Sequence, residues 1–220
     1  MHTTGHRWLV LGLIVFVMNS PATAAPPAGT AYEWQLVTMK APWAARDGAG
    51  ILSYRGQMWL LGGWNPDPAA REFFPRICNN EVWSSADGAQ WSLVKPNTFK
   101  DQKFDVSSDW EGRHTAGYLV YRDRMWIVGG DCNQRHYQND VWSSKDGKTW
   151  EHVNKGKDVP WAPRVLHYTV AHDDKMWIIG GQTMPGFAGG EEKFYRDLWT
   201  STDGIEWKPV QPEEPCWSPR

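Results

Sequence analysis

Apolar residues in this chain come in short runs cut by turn signals, and the runs recur. Between residues 112 and 153 four runs can be read. Leu119, Val120 and Tyr121 end the first, and Arg122-Asp123-Arg124 makes a turn. Residues 125–128 are apolar throughout, which suits a strand buried on both faces, and Gly129-Gly130 is expected to stop it. Val141 and Trp142 open a third run, and residues 150–153 form a fourth. Asp146-Gly147 supplies a tight hairpin signal between these two, because glycine reaches positive φ at little steric cost. No stretch sustains a helical period. The pattern therefore predicts four antiparallel strands per unit.

The unit is written three times. Met-Trp, two aliphatics and Gly-Gly occur at 58–63, 125–130 and 176–181. An acid, Val or Leu, and Trp occur at 81–83, 140–142 and 197–199. Asp-Gly-x-x-Trp-x-x-Val occurs at 87–94, 146–153 and 203–210, with the Asp-Gly pairs 59 and then 57 residues apart. A period of that length means one supersecondary unit per repeat. Four antiparallel strands, repeated, describe the blade of a β-propeller.

The Gly-Gly doublet closing a second strand, followed a dozen or more residues later by Trp, resembles the kelch repeat. The resemblance runs from residue 31 to residue 220 and implies an all-β, kelch-type β-propeller of four-stranded antiparallel blades, related to the central domain of galactose oxidase. On this reading residues 32–38 are an orphan outer strand, 43–94 blade one, 110–153 blade two, 161–210 blade three, and 216–220 the start of another. Propellers of this kind close with 4–8 blades, so further blades or a second chain would be needed to complete the ring. The Ser-x-Asp-Gly-x-x-Trp turns at 85–91, 144–150 and 201–207 also resemble the Asp-box of sialidases, one residue short between Asp and Gly. That resemblance implies a structural turn.

Residues 1–24 read as a secretory signal peptide. His6 and Arg7 precede an apolar core at 8–18, too short to span a bilayer, and Ala22-Thr23-Ala24 fits small-x-small cleavage. A short Ala/Pro/Gly linker follows at 25–31. The expected location is outside the cytoplasm, periplasmic or extracellular, with no membrane attachment after cleavage. Lys and Arg number 23 against 25 Asp and Glu, so no electrostatic case exists for nucleic acid or a membrane surface.

Of 16 tryptophans, 14 fall in four repeated columns, which assigns them to packing between units. Trp64, just after a Gly-Gly, stands outside the columns and is a candidate ligand platform. Arg46, Arg113, Arg164 and Arg220 form a column of their own at the start of each first strand, on the side where the long, variable connections lie. A guanidinium there either holds an acidic ligand group or bridges to an acid of the fold. His114 and His167 lie close to this column and are candidate ligand contacts. Glu81, Asp140 and Asp197 recur and are assigned to hydrogen bonds around the Gly-Gly backbone. Asp131, Asn133, Gln134, Arg135 and His136 form a polar cluster read as a solvated loop. Cys78 and Cys132 fall on the same side of adjacent units, which would allow a disulfide between them, and Cys216 is left over. No Cys or His spacing resembles a zinc site, and the copper ligands of galactose oxidase cannot be placed, so no metal and no cofactor are expected.

The function expected is an exported binding module that takes an acidic glycan or a protein partner on its arginine-lined, variable-loop face. A second reading comes from resemblance to exported sialic acid mutarotases, which are kelch propellers: the arginines would hold a sugar carboxylate while an acid or His moved protons. A scaffold without a small-molecule site is the third. Catalysis is the less favoured because no non-recurring acid stands out near the arginines.

Overall fold

The structure is a computed structural model, and the described residues are 33–65, 78–132, 136–183 and 191–212. The leader, the linker, residues 216–220, Arg220 and Cys216 lie outside them. The described chain is all-β, without a helix, and carries three four-stranded antiparallel sheets, none closed on itself. Sheet I is a meander of β1 (Gly50–Tyr54), β2 (Gln57–Leu61), β3 (Val82–Ser85) and β4 (Ser92–Lys95). Sheet II repeats it with β5 (Gly117–Tyr121), β6 (Arg124–Asp131), β7 (Tyr137–Ser144) and β8 (Glu151–His152). Sheet III is built from β9 (Tyr168–His172), β10 (Lys175–Ile179), β13 (Leu198–Ser201) and β14 (Lys208–Val210). A two-stranded ribbon, β11 (Gln182–Thr183) with β12 (Lys193–Phe194), sits between its second and third strands in sequence.

Two expectations change. Residues 33–38 hold no strand, and Trp34 is exposed. A strand exists through its partner's ladder, and this stretch joins none of the three sheets. The Gly-Gly doublet also does not stop the second strand of sheet II: β6 runs through Gly129 and Gly130 to Asp131, with a register shift between Val128 and Gly130. Both glycines have positive φ, 56° and 102°, so the doublet is a bulge that re-aims the strand.

The turns follow from local chemistry. The first hairpins, Arg55-Gly56, Arg122-Asp123 and Asp173-Asp174, have positive φ at both central positions, as two-residue hairpins of the primed type require. Each Asp-Gly turn is closed internally. Ser144 Oγ accepts from Gly147 N at 2.9 Å, Asp146 Oδ1 accepts from Lys148 N and Thr149 N, and Trp150 Nε1 donates to Gly147 O at 3.0 Å. The same set recurs at Ser85–Trp91 and Ser201–Trp207. Backbone donors from Gln90 and Ala89 accordingly hold the Asp87 carboxyl below its usual range.

Apolar burial lies between sheets. One core joins Leu52, Tyr54, Trp59, Leu61 and Val82 of sheet I to Met125, Ile127 and Trp142 of sheet II, with Trp110 and Trp150. A second joins Leu119, Tyr121, Trp126, Val128 and Val141 to Met176, Ile178, Trp161 and Trp207. The tryptophans of the second strands cover the turn glycine of the next sheet. A Cβ on Gly147 would meet Trp59 Cζ3 at 2.4 Å, and one on Gly204 would meet Trp126 Cζ3 at 2.7 Å. Polar grips flank these contacts. Tyr54 donates its hydroxyl to Asp123 O, and Arg55 Nε bonds Asp123 Oδ1 at 2.9 Å. Tyr121 and Arg122 hold Asp174 of sheet III in the same way.

Gly56 and Gly147 share a φ of 71°, yet nothing stands within 4 Å of a Cβ on Gly56. Gly56→Ala is therefore expected to cost only the left-handed penalty, about 1–2 kcal/mol. Gly147→Ala adds overpacking against Trp59, about 1–3 kcal/mol more. Urea unfolding of the two variants checks the order.

Candidate functional site

The lead-ins to β5 and β9 are stitched alternately to the preceding sheet and to their own unit. Arg113 donates its N–H to Asn79 O and accepts from Gly63 N, both on sheet I's side, at 3.1 and 2.7 Å. The next residue, His114, exchanges both backbone bonds with Asp131 of its own sheet. Thr115 then turns back and donates to Gly48 O at 3.0 Å. At the next junction Arg164 bonds Gln138 O and Gly130 N, Val165 pairs with Gln182, and Leu166 donates to Thr115 O at 3.2 Å. Gly48, Thr115 and Leu166 all have positive φ, 59°, 52° and 56°. For Thr and Leu this conformation is costly and persists because neighbouring sheets hold it.

These lead-ins and the first strands surround an open cavity of about 540 Å³, whose wall includes Gly48, Ile51, Thr115, Leu166, Tyr168 and Thr169. Ile51, Leu166 and Tyr168 expose apolar surface, with Tyr168 at 73%.

The arginine column does not face that cavity as free cations. Arg46 donates to Gly62 O, Asn79 Oδ1 and Glu81 Oε2 at 3.0, 2.9 and 2.6 Å. Arg164 donates to Ala162 O, Gly180 O and both oxygens of Asp197. Its guanidinium also lies 3.9 Å from the Tyr195 ring centroid. The acids are on the arginine's own sheet, and each also accepts the indole N–H of the tryptophan two residues on: Trp83 to Glu81, Trp142 to Asp140, Trp199 to Asp197. The carboxylates of the recurring acids thus bind side chains, while the expected bonds to the Gly-Gly backbone run through main-chain carbonyls: Glu81 O accepts from Gly62 N and Asp197 O from Gly180 N, and Arg46 and Arg164 reach the carbonyls of the same glycines. Burial works to raise the Asp197 pKa, but the Arg164 and Trp199 bonds bring it below the ordinary carboxylate value. Arg113 is the exception. It pairs with Asp140 through Nη2, while its buried Nε and Nη1 and Asp140 Oδ1 have no partner.

Trp64 is tied into the fold by backbone bridges to Asp47 and Cys78, with its ring 6.1 Å from that of His114. His114 sits between two carboxylates, Nδ1 3.0 Å from Asp131 Oδ1 and Nε2 3.6 Å from Asp47 Oδ2. Burial lowers its pKa, but the bond to Asp131 and the two negative charges outweigh burial, and the net shift is upward. His167 is buried, with Nε2 3.0 Å from Val128 O of the neighbouring sheet. Burial first, then the Arg164 charge, pushes its pKa down to about 4, so at neutral pH it donates from Nε2 as a neutral ring.

Cys78 and Cys132 are both buried and unbridged, within electrostatic reach of one another. Burial raises the pKa of each. Beside Cys132 the fold assembles a group that the spacing did not announce: one ligand atom each from Glu111, Cys132 and His136, all within 4.8 Å of one another. Glu111 comes from the lead-in to sheet II, and Cys132 and His136 flank the connection between β6 and β7. His136 Nε2 is 3.3 Å from Glu111 Oε2, and that contact raises the His136 pKa. Gln138 Nε2 also donates to Glu111 Oε2. The sequence signal was Cys132-x-x-x-His136, but His136 was read with a solvated loop and Cys132 as a disulfide candidate; Glu111 carried none. Asn133, Gln134 and Arg135 of that cluster lie outside the described residues.

Compared with known proteins, the chain matches no family model and no curated protein.

Two outcomes follow. Arg164→Ala removes a buried guanidinium and leaves the half-buried Asp197 without its cation, and should cost about 1.5–3 kcal/mol in urea unfolding without any ligand present; an unchanged stability would mean the arginine is not a strut. For His167 the folded pKa lies below the unfolded value, so the unfolded chain binds the extra proton first and stability is lost as pH falls from 6.5 towards 4. The stability advantage of the native protein over His167→Gln should shrink by about 3 kcal/mol across that window. A pH-independent difference would show that His167 is not held neutral.

Proposed function

We propose that the chain is a kelch-type β-propeller segment acting as an exported binding module, with its ligand received at the cavity ringed by the first strands. The observation that carries this is the shared geometry of the three lead-ins. Equivalent residues turn at equivalent positive φ and leave Ile51, Leu166 and Tyr168 exposed on one concave wall. Such a wall suits the apolar face of a sugar ring or of a protein segment, with Thr169 and the lead-in backbone available for polar contacts. In a propeller this wall would line the central channel.

The acid-selective part of the reading narrows. Arg46 and Arg164 have their donors engaged within the fold, and Arg113, which keeps unpaired nitrogens, is fully buried and stands outside the cavity wall, so the described arginines give the cavity no acid-selective donor. The mutarotase reading has less support. Proton transfer needs a group whose pKa lies near the working pH and which reaches the substrate. Among the described residues of the wall, His167 is bonded to Val128 O and stays neutral down to about pH 4.

Titrating isotope-labelled protein with sialic acid, and separately with galactose, should perturb the amide signals of Ile51, Thr115, Leu166 and Tyr168. Tyr168→Ala should weaken binding roughly tenfold, about 1.4 kcal/mol. Perturbations confined to another surface would overturn the cavity assignment. Faster interconversion of sialic acid anomers would favour the enzyme reading. Silence with both sugars would leave a protein partner as the ligand.

A further inference from the structure

Three donors of different chemistry converge where the lead-in of sheet II passes the connection between β6 and β7. They are the Glu111 carboxylate, the Cys132 thiol and the His136 imidazole, with ligand atoms within 4.8 Å of one another. Four ligands around Zn²⁺ at 2.0–2.3 Å stand about 3.3–3.8 Å apart, so the group needs only side-chain adjustment to close on an ion. We infer that Glu111, Cys132 and His136 form a binding site for a borderline divalent cation of the Zn²⁺ class, with a fourth position left for water.

Independent features point the same way. Gln138 is buried at 7% exposure and donates its amide to Glu111 Oε2, while its own Oε1 has no partner. A carboxylate ligand is normally oriented by such a neighbouring donor. The donor set of nitrogen, sulfur and oxygen fits Zn²⁺ better than Mg²⁺ or Ca²⁺, which prefer oxygen alone. Charge also balances. A Zn²⁺ would be neutralised by the Glu111 carboxylate and the Cys132 thiolate, and the nearby Arg113 is already paired with Asp140. Access is available, since Cys132 is buried but His136 has a side chain 57% exposed. Binding forms an S–metal bond at Cys132 and sends the thiol proton to the buffer.

The plain alternative is a His136–Glu111 ion pair beside an inert buried thiol. Cobalt(II), a spectroscopic substitute for zinc, separates the two. Reduced full-length protein, stripped with chelator and titrated with Co²⁺, should bind one equivalent and show a thiolate-to-cobalt charge-transfer band, which Zn²⁺ then removes. Cys132→Ser should abolish the band. His136→Ala and Glu111→Gln should each weaken binding by at least roughly tenfold, while Cys78→Ser and His172→Ala leave it unchanged. Absence of the band in the reduced native protein, or a band indifferent to His136→Ala, overturns the site. His136 is exposed, so this variant still decides the matter if Cys132→Ser does not fold.

Discussion

The fold depends on one short segment being held by two sheets at once. In an extended chain successive backbone groups point to opposite sides, so the lead-in to a first strand can bond the preceding sheet with one residue and its own sheet with the next. Arg113 faces sheet I and His114 faces sheet II; Arg164 faces sheet II and Val165 faces Gln182 of the β11–β12 ribbon. The side chains of Arg46 and Arg164 then fasten each lead-in to an acid and a glycine carbonyl of its own sheet. Without this stitching the indole layers between the sheets would have no fixed spacing. The residues at positive φ that face the cavity would also have nothing holding them there.

That arrangement explains why an arginine column is a poor guide to ligand chemistry here. A guanidinium buried at a junction needs partners for all its N–H groups, and Arg46 and Arg164 find them within the fold. Arg113 uses one and leaves two nitrogens unpaired among Glu111, Cys132 and His136. The odd member of the described column therefore lies beside a group of donors that breaks the repeat.

The strands, their meander order and the Asp-Gly turns were legible because each is written in local chemistry and repeated three times. The second hairpin's Ser, Asp, Gly and Trp act on one another within seven residues, so spacing alone reveals them. The arginine bridge was readable only as one of two alternatives, because its partner acid lies 27 to 35 residues away. The role of Gly129 and Gly130 was misread as a stop, since a bulge and a strand end call for the same residue. Glu111 was invisible: it stands in a lead-in beside Arg113 and acquires its neighbours only when sheet II brings the β6–β7 connection over it. Residues 33–38 carried a fourth-strand pattern, but a pattern does not make a strand without a ladder to join.

The grips between sheets have a sense of direction. Tyr54 and Arg55 reach from sheet I to Asp123, and Tyr121 and Arg122 reach from sheet II to Asp174. Donor and acceptor lie on opposite faces of a unit, so the contact is heterologous, and one rotation repeated either returns to its origin or runs on as a screw. A two-fold axis cannot reproduce it. Among the described sheets the two faces not joined to a neighbour lack its parts: sheet III has His172 and Asp173 where Tyr and Arg stand elsewhere, and sheet I has Gly56 in place of the accepting Asp. Another copy of this unit arriving at either face would not find the grip that joins its neighbours. A further unit set against either of these faces would have to be held by different chemistry.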